Sequence, residues 1–168
     1  MDERKYCDYK HYYDKLDIIG KGAFGIIFKG REKGSKRDIA IKEIDLELIK
    51  QNILLEYGPD NWEKELEKLK DELTKEFEIM KMCSENNSNS LKCYEYFVRK
   101  QSFVMVMELL CDTSLAKLLT EKIKREKRGF NSDELLEIMN QLNKAFKVMR
   151  EKKNNTQRFK FREYFNKI

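Results

Sequence analysis

The segment Ile19-Gly20-Lys21-Gly22-Ala23-Phe24-Gly25-Ile26-Ile27 constrains the fold of this 168-residue chain more than any other stretch. Its β-branched flanks favour extended backbone, and its three glycines permit a turn that approaches other groups closely. The segment therefore predicts two strands joined by a glycine turn, the first running from Tyr13 to Gly20 and the second from Ile26 to Lys29. Gly34-Ser35 reads as the next turn, before a third strand from Asp38 to Glu43. That strand carries Ile39-Ala40-Ile41-Lys42, with the lysine seventeen positions after Gly25. Three consecutive antiparallel strands follow.

The pattern then changes. Glu56-Tyr57-Gly58-Pro59-Asp60-Asn61 holds the chain's only proline and ends the region after the third strand. Asp60 and Glu63 have capping-box spacing, and Leu66, Leu69, Leu73, Phe77 and Met80 recur at helical intervals, so a long amphipathic helix is expected to end near Cys83. Asn86 to Ser90 is a polar connector. Two further strands, Leu91 to Val98 and Ser102 to Glu108, fit around a tight turn at Lys100-Gln101. Beyond Cys111 the period is helical throughout. Leu115, Leu118, Leu119 and Ile123 mark a helix started by Asp112 or Thr113. Asn131 and Glu134 cap a last helix, whose stripe runs through Leu135, Ile138, Met139, Leu142, Phe146 and Met149.

Composition narrows the function classes. Charged residues make up 39% of the chain and apolar residues 40%, which suits a folded domain with a heavily solvated surface. The formal charge is only +5 because acids and bases are interleaved, whereas a nucleic-acid reader concentrates its cations on one face. Cys7, Cys83, Cys93 and Cys111 show no CxxC spacing, and His11 is the sole histidine, so neither a metal site nor a disulfide framework is expected. No apolar run reaches membrane-spanning length. Reduced thiols and the absence of a leader-like run point to the cytoplasm, with neither nucleic acid nor membrane as a partner.

A GxGxxG pattern alone also occurs in dinucleotide-binding folds, where the glycines open a helix; here Ile26-Ile27-Phe28 continues as a strand. With Lys42 on the third strand and the element order strand, glycine turn, strand, strand, helix, strand, strand, helix, helix, the chain resembles the small lobe of a protein kinase plus the first two helices of its large lobe. The resemblance covers about Asp14 to Lys153. It implies an α+β fold, a five-stranded antiparallel sheet with one long helix, followed by two helices of an incomplete large lobe. The corresponding divisions are an N-terminal extension over 1–13, an ATP-binding lobe over 14–111, the start of the helical lobe over 112–153, and a basic tail over 154–168.

The resemblance also implies roles. Gly20, Lys21, Gly22, Ala23, Phe24 and Gly25 would lie over the phosphates of ATP, and Ile19, Ile27 and Ala40 would roof the adenine. Lys42 would hold the α- and β-phosphates, paired with Glu76, or failing that Glu78, on the long helix. Met107 would border the back of the pocket, with the backbone of Glu108 and Leu110 meeting the adenine edge. Taken singly, Met107 reads equally as core, Glu76 as a surface charge and Lys42 as a snorkelling strand residue.

The HRD and DFG motifs that supply the catalytic base and the magnesium ligands do not occur in these 168 residues. Magnesium is accordingly expected only with a complete catalytic domain. After Lys153 the chain continues Asn154-Asn155-Thr156-Gln157-Arg158-Phe159-Lys160-Phe161-Arg162-Glu163-Tyr164-Phe165-Asn166-Lys167-Ile168. Reverse-translated with permitted codons and read after removal of one adenine, this tail becomes Ile-Ile-His-Arg-Asp-Leu, two variable residues, then Glu-Asn-Ile-Leu-Ile-Lys. That is a catalytic loop in its expected place, so the tail is expected to be a shifted-frame segment and the chain a truncated, inactive kinase front. Two functional readings follow: the ATP-binding part of a serine/threonine-type kinase, or a non-catalytic module for nucleotide binding or protein interaction. In the second, the exposed last helix invites self-association or chaperone capture. A third reading gives the basic tail an acidic contact, against the interleaved charge elsewhere.

Overall fold

The computed structural model describes residues 7–22, 25–85, 87–111 and 113–155, with side chains described as far as Lys152. Two compact units divide the chain. One holds the residues up to Lys81 with Leu91–Leu110; the other holds Met82–Ser90 with the residues from Cys111 onward. The expected tail lies outside the described residues beyond Asn155.

The first unit is built on a five-stranded antiparallel sheet of β1 (Tyr13–Gly22), β2 (Gly25–Glu32), β3 (Asp38–Asp45), β4 (Cys93–Val98) and β5 (Ser102–Glu108), in the order β1-β2-β3-β5-β4. Because strand side chains alternate between faces, β3 sends Ile39 and Ile41 to one side and Ala40, Lys42 and Ile44 to the other. The first side is closed by Tyr13, Phe97, Val104, Val106 and the fully buried Tyr9, which sits in a short 3-10 turn at Tyr9–His11. Tyr9, Tyr12 and Tyr13 all lie about 6 Å from the Phe97 ring, and the Tyr13 hydroxyl donates to the Glu95 carboxylate. Tyr9 and Tyr13, with Tyr12 packed against them, thus belong to the core of this unit, while Lys10 and His11 stay exposed.

The second side packs against the helix α2 (Trp62–Ser84), whose Leu66, Leu73 and Phe77 join Ala40, Ile44, Cys93, Tyr96, Phe103, Met105 and Met107 in one buried cluster. The expected stripe is therefore the buried one. Its start differs: Glu65 N–H donates to the Asn61 carbonyl at 3.2 Å and the helix begins at Trp62, one residue later than an Asp60 cap implies.

An element absent from the expectations precedes it. The helix α1 (Leu46–Tyr57) is capped by Asp45, whose carboxylate accepts from Glu47 and Leu48 N–H at 2.9 and 3.0 Å. It ends at Gly58, whose positive φ of 77° favours glycine and whose N–H donates to the Leu54 carbonyl. Its apolar residues spread around the helix instead of forming a stripe: Leu46 is buried, Ile49 and Ile53 are half-buried, and Leu48 and Leu55 are exposed. That is why periodicity alone misses it.

In the second unit, α3 (Leu115–Glu126) is capped by Ser114, whose Oγ accepts from Lys117 N–H at 3.2 Å. Ser114 takes the role expected of Thr113 or Asp112, because its extended backbone places the hydroxyl over the first turn. The helix α4 (Ser132–Asn155) opens on the expected capping box: Asn131 Oδ1 accepts from Glu134 N–H, and the Glu134 carboxylate accepts from Asn131 N–H, both at 2.8 Å. Lys122 on α3 meets Glu134 at 2.6 Å and Glu126 at 3.0 Å. Charged hydrogen bonds from Arg125 first and then Lys122 hold the Glu126 carboxyl down to about 2.

Gly30, in the middle of β2, is demanded by packing. A Cβ there would lie 2.7 Å from Ile41 Cδ1 and 2.9 Å from the Asp14 carbonyl oxygen. Gly30→Ala is expected to cost about 1–3 kcal/mol through overpacking, read as a lower urea midpoint at unchanged slope. A midpoint equal to the parent's would mean that β1 and β2 relax around the methyl group.

Candidate functional site

The β1–β2 hairpin closes with Gly22 opposite Gly25, Lys21 opposite Ile26 and Gly20 opposite Ile27. A register shift between Ile18 and Gly20 bulges the ribbon at Ile19, which is half exposed. The three glycines differ in how far packing demands them. Gly25 has φ 149°, and a Cβ on it would stand 2.2 Å from the Glu43 carbonyl oxygen, so no side chain fits. Gly20 would meet Ile27 at an ordinary 3.6 Å, and Gly22 would meet nothing within 4 Å. The chain's own packing thus explains Gly25 and leaves Gly22 as open space beside the turn's backbone. Lys21 is exposed at the turn, while Ala23 and Phe24 lie outside the described residues.

Sheet register brings the other expected residues onto one face. Directly opposed residues of antiparallel strands share a face, and β3 is paired on both sides. Ile27 pairs with Lys42 and Lys42 with Met105; Lys29 pairs with Ala40, Ala40 with Met107, and Met107 with Cys93. Ile27, Ala40, Lys42 and Met107 therefore lie in two adjacent rows on the α2 side of the sheet. Ala40 and Met107 are each only 6% exposed. Ala40 presents a flat, small surface there, and Lys42 presents an ammonium group at the edge of the apolar cluster.

The helix supplies the acid. Glu76 lies three residues after buried Leu73 and four before Met80, on the sheet-facing flank of α2, and is half-buried. Glu78 falls on the far side and is exposed. Glu76 and Lys42 both act electrostatically on the Cys93 thiol, so the two charges flank the same buried position. Burial, with Glu108 and Glu76 adding to it, pushes that thiol up to about 11.

At the end of β5, the Glu108 N–H donates to the Lys92 carbonyl at 2.9 Å, and the Glu108 carboxylate accepts from Lys92 N–H at 2.7 Å. Any backbone bond from Glu108 to a ligand must therefore come from its carbonyl. The double link also explains why regular β4 pairing starts at Cys93 and not at Leu91. Leu110 is exposed beyond the strand.

Cys93 is the site-facing residue that sequence reasoning missed. Counting outward from the turn at Lys100-Gln101, the pairs Val98 with Phe103 and Glu95 with Val106 place Tyr94 opposite Met107. The irregularity between Cys93 and Glu95 bulges Tyr94 out and brings Cys93 there instead.

A groove of about 810 Å³ reaches the glycine turn at Lys21, Gly22 and Gly25 but takes in none of Ile27, Ala40, Lys42 and Met107. It runs along the opposite sheet face past Phe28, Glu43, Leu48 and Arg99, and the Lys15–Glu43 ion pair at 2.8 Å lies in it.

The thiol environment yields a measurable consequence. A thiol whose ionisation is raised in the folded state contributes stability below its unfolded value near 9, and that contribution is lost as pH rises toward 11. Native protein at pH 8 is expected to alkylate at exposed Cys7 and Cys111 and to leave buried Cys83 and Cys93 unlabelled until unfolded. Cys93→Val is expected to flatten the loss of stability between pH 9 and 11. Rapid native labelling of Cys93 would contradict its burial.

The sequence that builds this arrangement is similar to known proteins. A family model described as the protein kinase domain matches residues 13–154. NUAK family SNF1-like kinase 1 of Mus musculus is 28% identical over 124 residues, which is 72% of this chain and 16% of that protein, and the Homo sapiens protein of the same name gives the same figures. Serine/threonine-protein kinase ppk11 of Schizosaccharomyces pombe is 39% identical over 44 residues, 26% of this chain and 14% of that protein. The chain thus spans 16% of the length of the first two curated relatives. Glycine hairpin, central-strand lysine, long helix and antiparallel sheet fall within the matched span, and the chain belongs to the protein kinase domain family.

Proposed function

We propose that this chain is the ATP-binding part of a serine/threonine-type protein kinase. One observation carries the reading: β3 register sets Ile27, Ala40, Lys42 and Met107 on one sheet face, where the charges of Lys42 and Glu76 converge on Cys93. The family implies ATP as the phosphoryl donor, generally with magnesium. Bound ATP would supply a transferable γ-phosphoryl group; everything else is positioning. The open space beside Gly22 would admit the phosphates to the turn's N–H groups. Lys42 would neutralise the α- and β-phosphates, and Glu76 would hold the ammonium in place. Ile19, Ile27 and Ala40 would cover the adenine, Met107 would limit its depth, and the Glu108 carbonyl and Leu110 backbone would meet its edge. The name of the Schizosaccharomyces pombe relative, a serine/threonine-protein kinase, supports the serine/threonine class.

In this reading the 168 residues bind nucleotide without transferring phosphate, because neither an HRD nor a DFG motif is among them. The four free thiols suit a cytoplasmic setting. A second reading, interaction through the helical unit, is favoured by one specific observation: Leu135, Leu136, Met139, Leu142 and Phe146 of α4 are all 46–65% exposed.

ATP at tenfold its Kd is expected to stabilise the protein by about 1.4 kcal/mol, a rise in Tm of several degrees. Lys42→Met should abolish the shift. Gly22→Ala should weaken it while leaving Tm without nucleotide unchanged. The absence of any shift in the parent chain would sink the ATP reading, and autophosphorylation by the 168-residue chain would overturn its inactivity. For the tail, sequencing the transcript across the codons for Glu151 to Arg158 is expected to find one adenine fewer than this translation requires. The same codons found again would make the tail genuine.

A further inference from the structure

The glycine hairpin has an irregular stretch below its turn. β1 meets β2 at Lys15 opposite Gly30 and again at Gly20 opposite Ile27, and register shifts fall on both sides of Ile18 between them. From Lys15 to Gly20 the first strand advances five residues, while its partner advances three, from Gly30 to Ile27. Ladder pairing is disrupted at such irregularities and the ribbon bends there. The part of the hairpin that carries Gly20, Gly22 and Gly25 is therefore joined to the base of β1 through its least regular segment.

One ion pair crosses this stretch. Lys15 Nζ lies 2.8 Å from the Glu43 carboxylate and 4.3 Å from the centre of the Phe28 ring. In the sheet register Lys15 shares a row with Gly30 and Ile39, Ile18 one with Phe28 and Ile41, and Lys21 one with Ile26 and Glu43. The lysine stem thus runs from the row before the irregular stretch, past Phe28, to the row at the base of the glycine turn. Gly30, opposite Lys15, has no side chain to block that path. Among the described ion pairs, this one alone joins β1 to β3 across β2.

Glu43 holds the turn in a second way. Its carbonyl oxygen stands against Gly25, 2.2 Å from where a Cβ would lie. Glu43 also follows Lys42 directly, so the two side chains leave β3 on opposite faces, Lys42 toward α2 and Glu43 toward Lys15. A shift of the hairpin relative to Lys42 must therefore strain the Lys15–Glu43 contact. The two side chains are only 31% and 24% exposed, so the ammonium's contact with the Phe28 ring adds to a partly shielded ionic attraction.

Resting on the ATP-binding reading, we propose that Lys15 and Glu43 form a positioning pair that staples the glycine hairpin to the Lys42 strand and so sets how closely the turn's N–H groups approach the phosphates. Neither side chain touches nucleotide, because both lie on the sheet face away from α2. The pair acts only through the backbone it holds.

The test uses the 168-residue chain and four variants: Lys15→Met, Glu43→Gln, the two combined, and Lys15→Arg. Without nucleotide, hydrogen exchange at Gly20, Lys21, Gly22 and Ile26 is expected to be about threefold faster in the first three, as loss of a partly exposed ion pair implies. The β3–β5 ladder should exchange as in the parent. Lys15→Arg keeps a cation over Phe28 and should match the parent throughout. In titrations, ATP should bind about threefold more weakly to each of the first three variants. The combined variant should be no worse than either single one, since the two residues act as one pair. Adenosine, which has no phosphates for the turn to cover, should bind every chain equally. Unchanged exchange in the hairpin, additive losses in the combined variant, or equal weakening of adenosine and ATP would each overturn the proposal. A parent chain that binds no ATP would overturn the nucleotide reading and phosphate positioning with it, while hairpin exchange would still decide whether the staple exists.

Discussion

The pairing of β3 with a strand on each side is the constraint on which the rest of the first unit depends. Ile39 to Asp45 is laddered to β5 and Asp38 to Glu43 to β2, so its alternation of side chains is held from both edges. A slip by one residue would exchange the faces, sending Ile39 and Ile41 toward α2 and Ala40 and Lys42 into the tyrosine-lined layer. The apolar weight of Tyr9, Tyr13, Phe97, Val104 and Val106 on one face, and of Phe77, Phe103 and Met105 on the other, prevents that slip. The placement of Lys42 is thus a by-product of core packing. Lys42 stands on the α2 face because its apolar neighbours cannot leave theirs.

The same logic reaches the acid and the glycine turn. Glu76 is brought to the sheet because Leu73, Phe77 and Met80 fix the rotation of α2, and the stacking of Tyr96 on Phe103 with Phe77 at 4.9 Å from Tyr96 locks that rotation. Gly25 is required by the close approach of the Glu43 carbonyl, which ties the glycine hairpin to the strand that bears Lys42. Backbone sterics, aromatic packing and strand alternation therefore position three chemically different groups. The helical unit is organised otherwise. Its defined interactions are caps and ion pairs around Lys122, Glu126, Glu134 and Arg128, while its apolar residues face outward.

Much of this was legible in the residues alone. The strands of the glycine hairpin, the Asp38 strand, the Phe77 stripe, the β4–β5 hairpin and the Asn131–Glu134 capping box each have short-range signatures, and each stands where its signature put it to within a few residues. What failed failed for identifiable reasons. The helix α1 has strong caps, Asp45 and Gly58, but no stripe, so a periodicity criterion passes over it. Ser114 outcompetes Thr113 as the α3 cap through backbone direction, which composition does not encode. Cys93 reaches the site only because a bulge displaces Tyr94.

The amino-acid sequence by itself determined the order and type of most elements, the glycine turn and the lysine that follows it, because these rest on local backbone preference and on periods of two and 3.6 residues. Only the tertiary structure decided which of Glu76 and Glu78 faces the sheet, which of the three glycines packing demands, and which half of the α4 stripe stays in solvent. Those outcomes depend on rotation, register and close approach between segments far apart in the chain, and no local pattern carries that information.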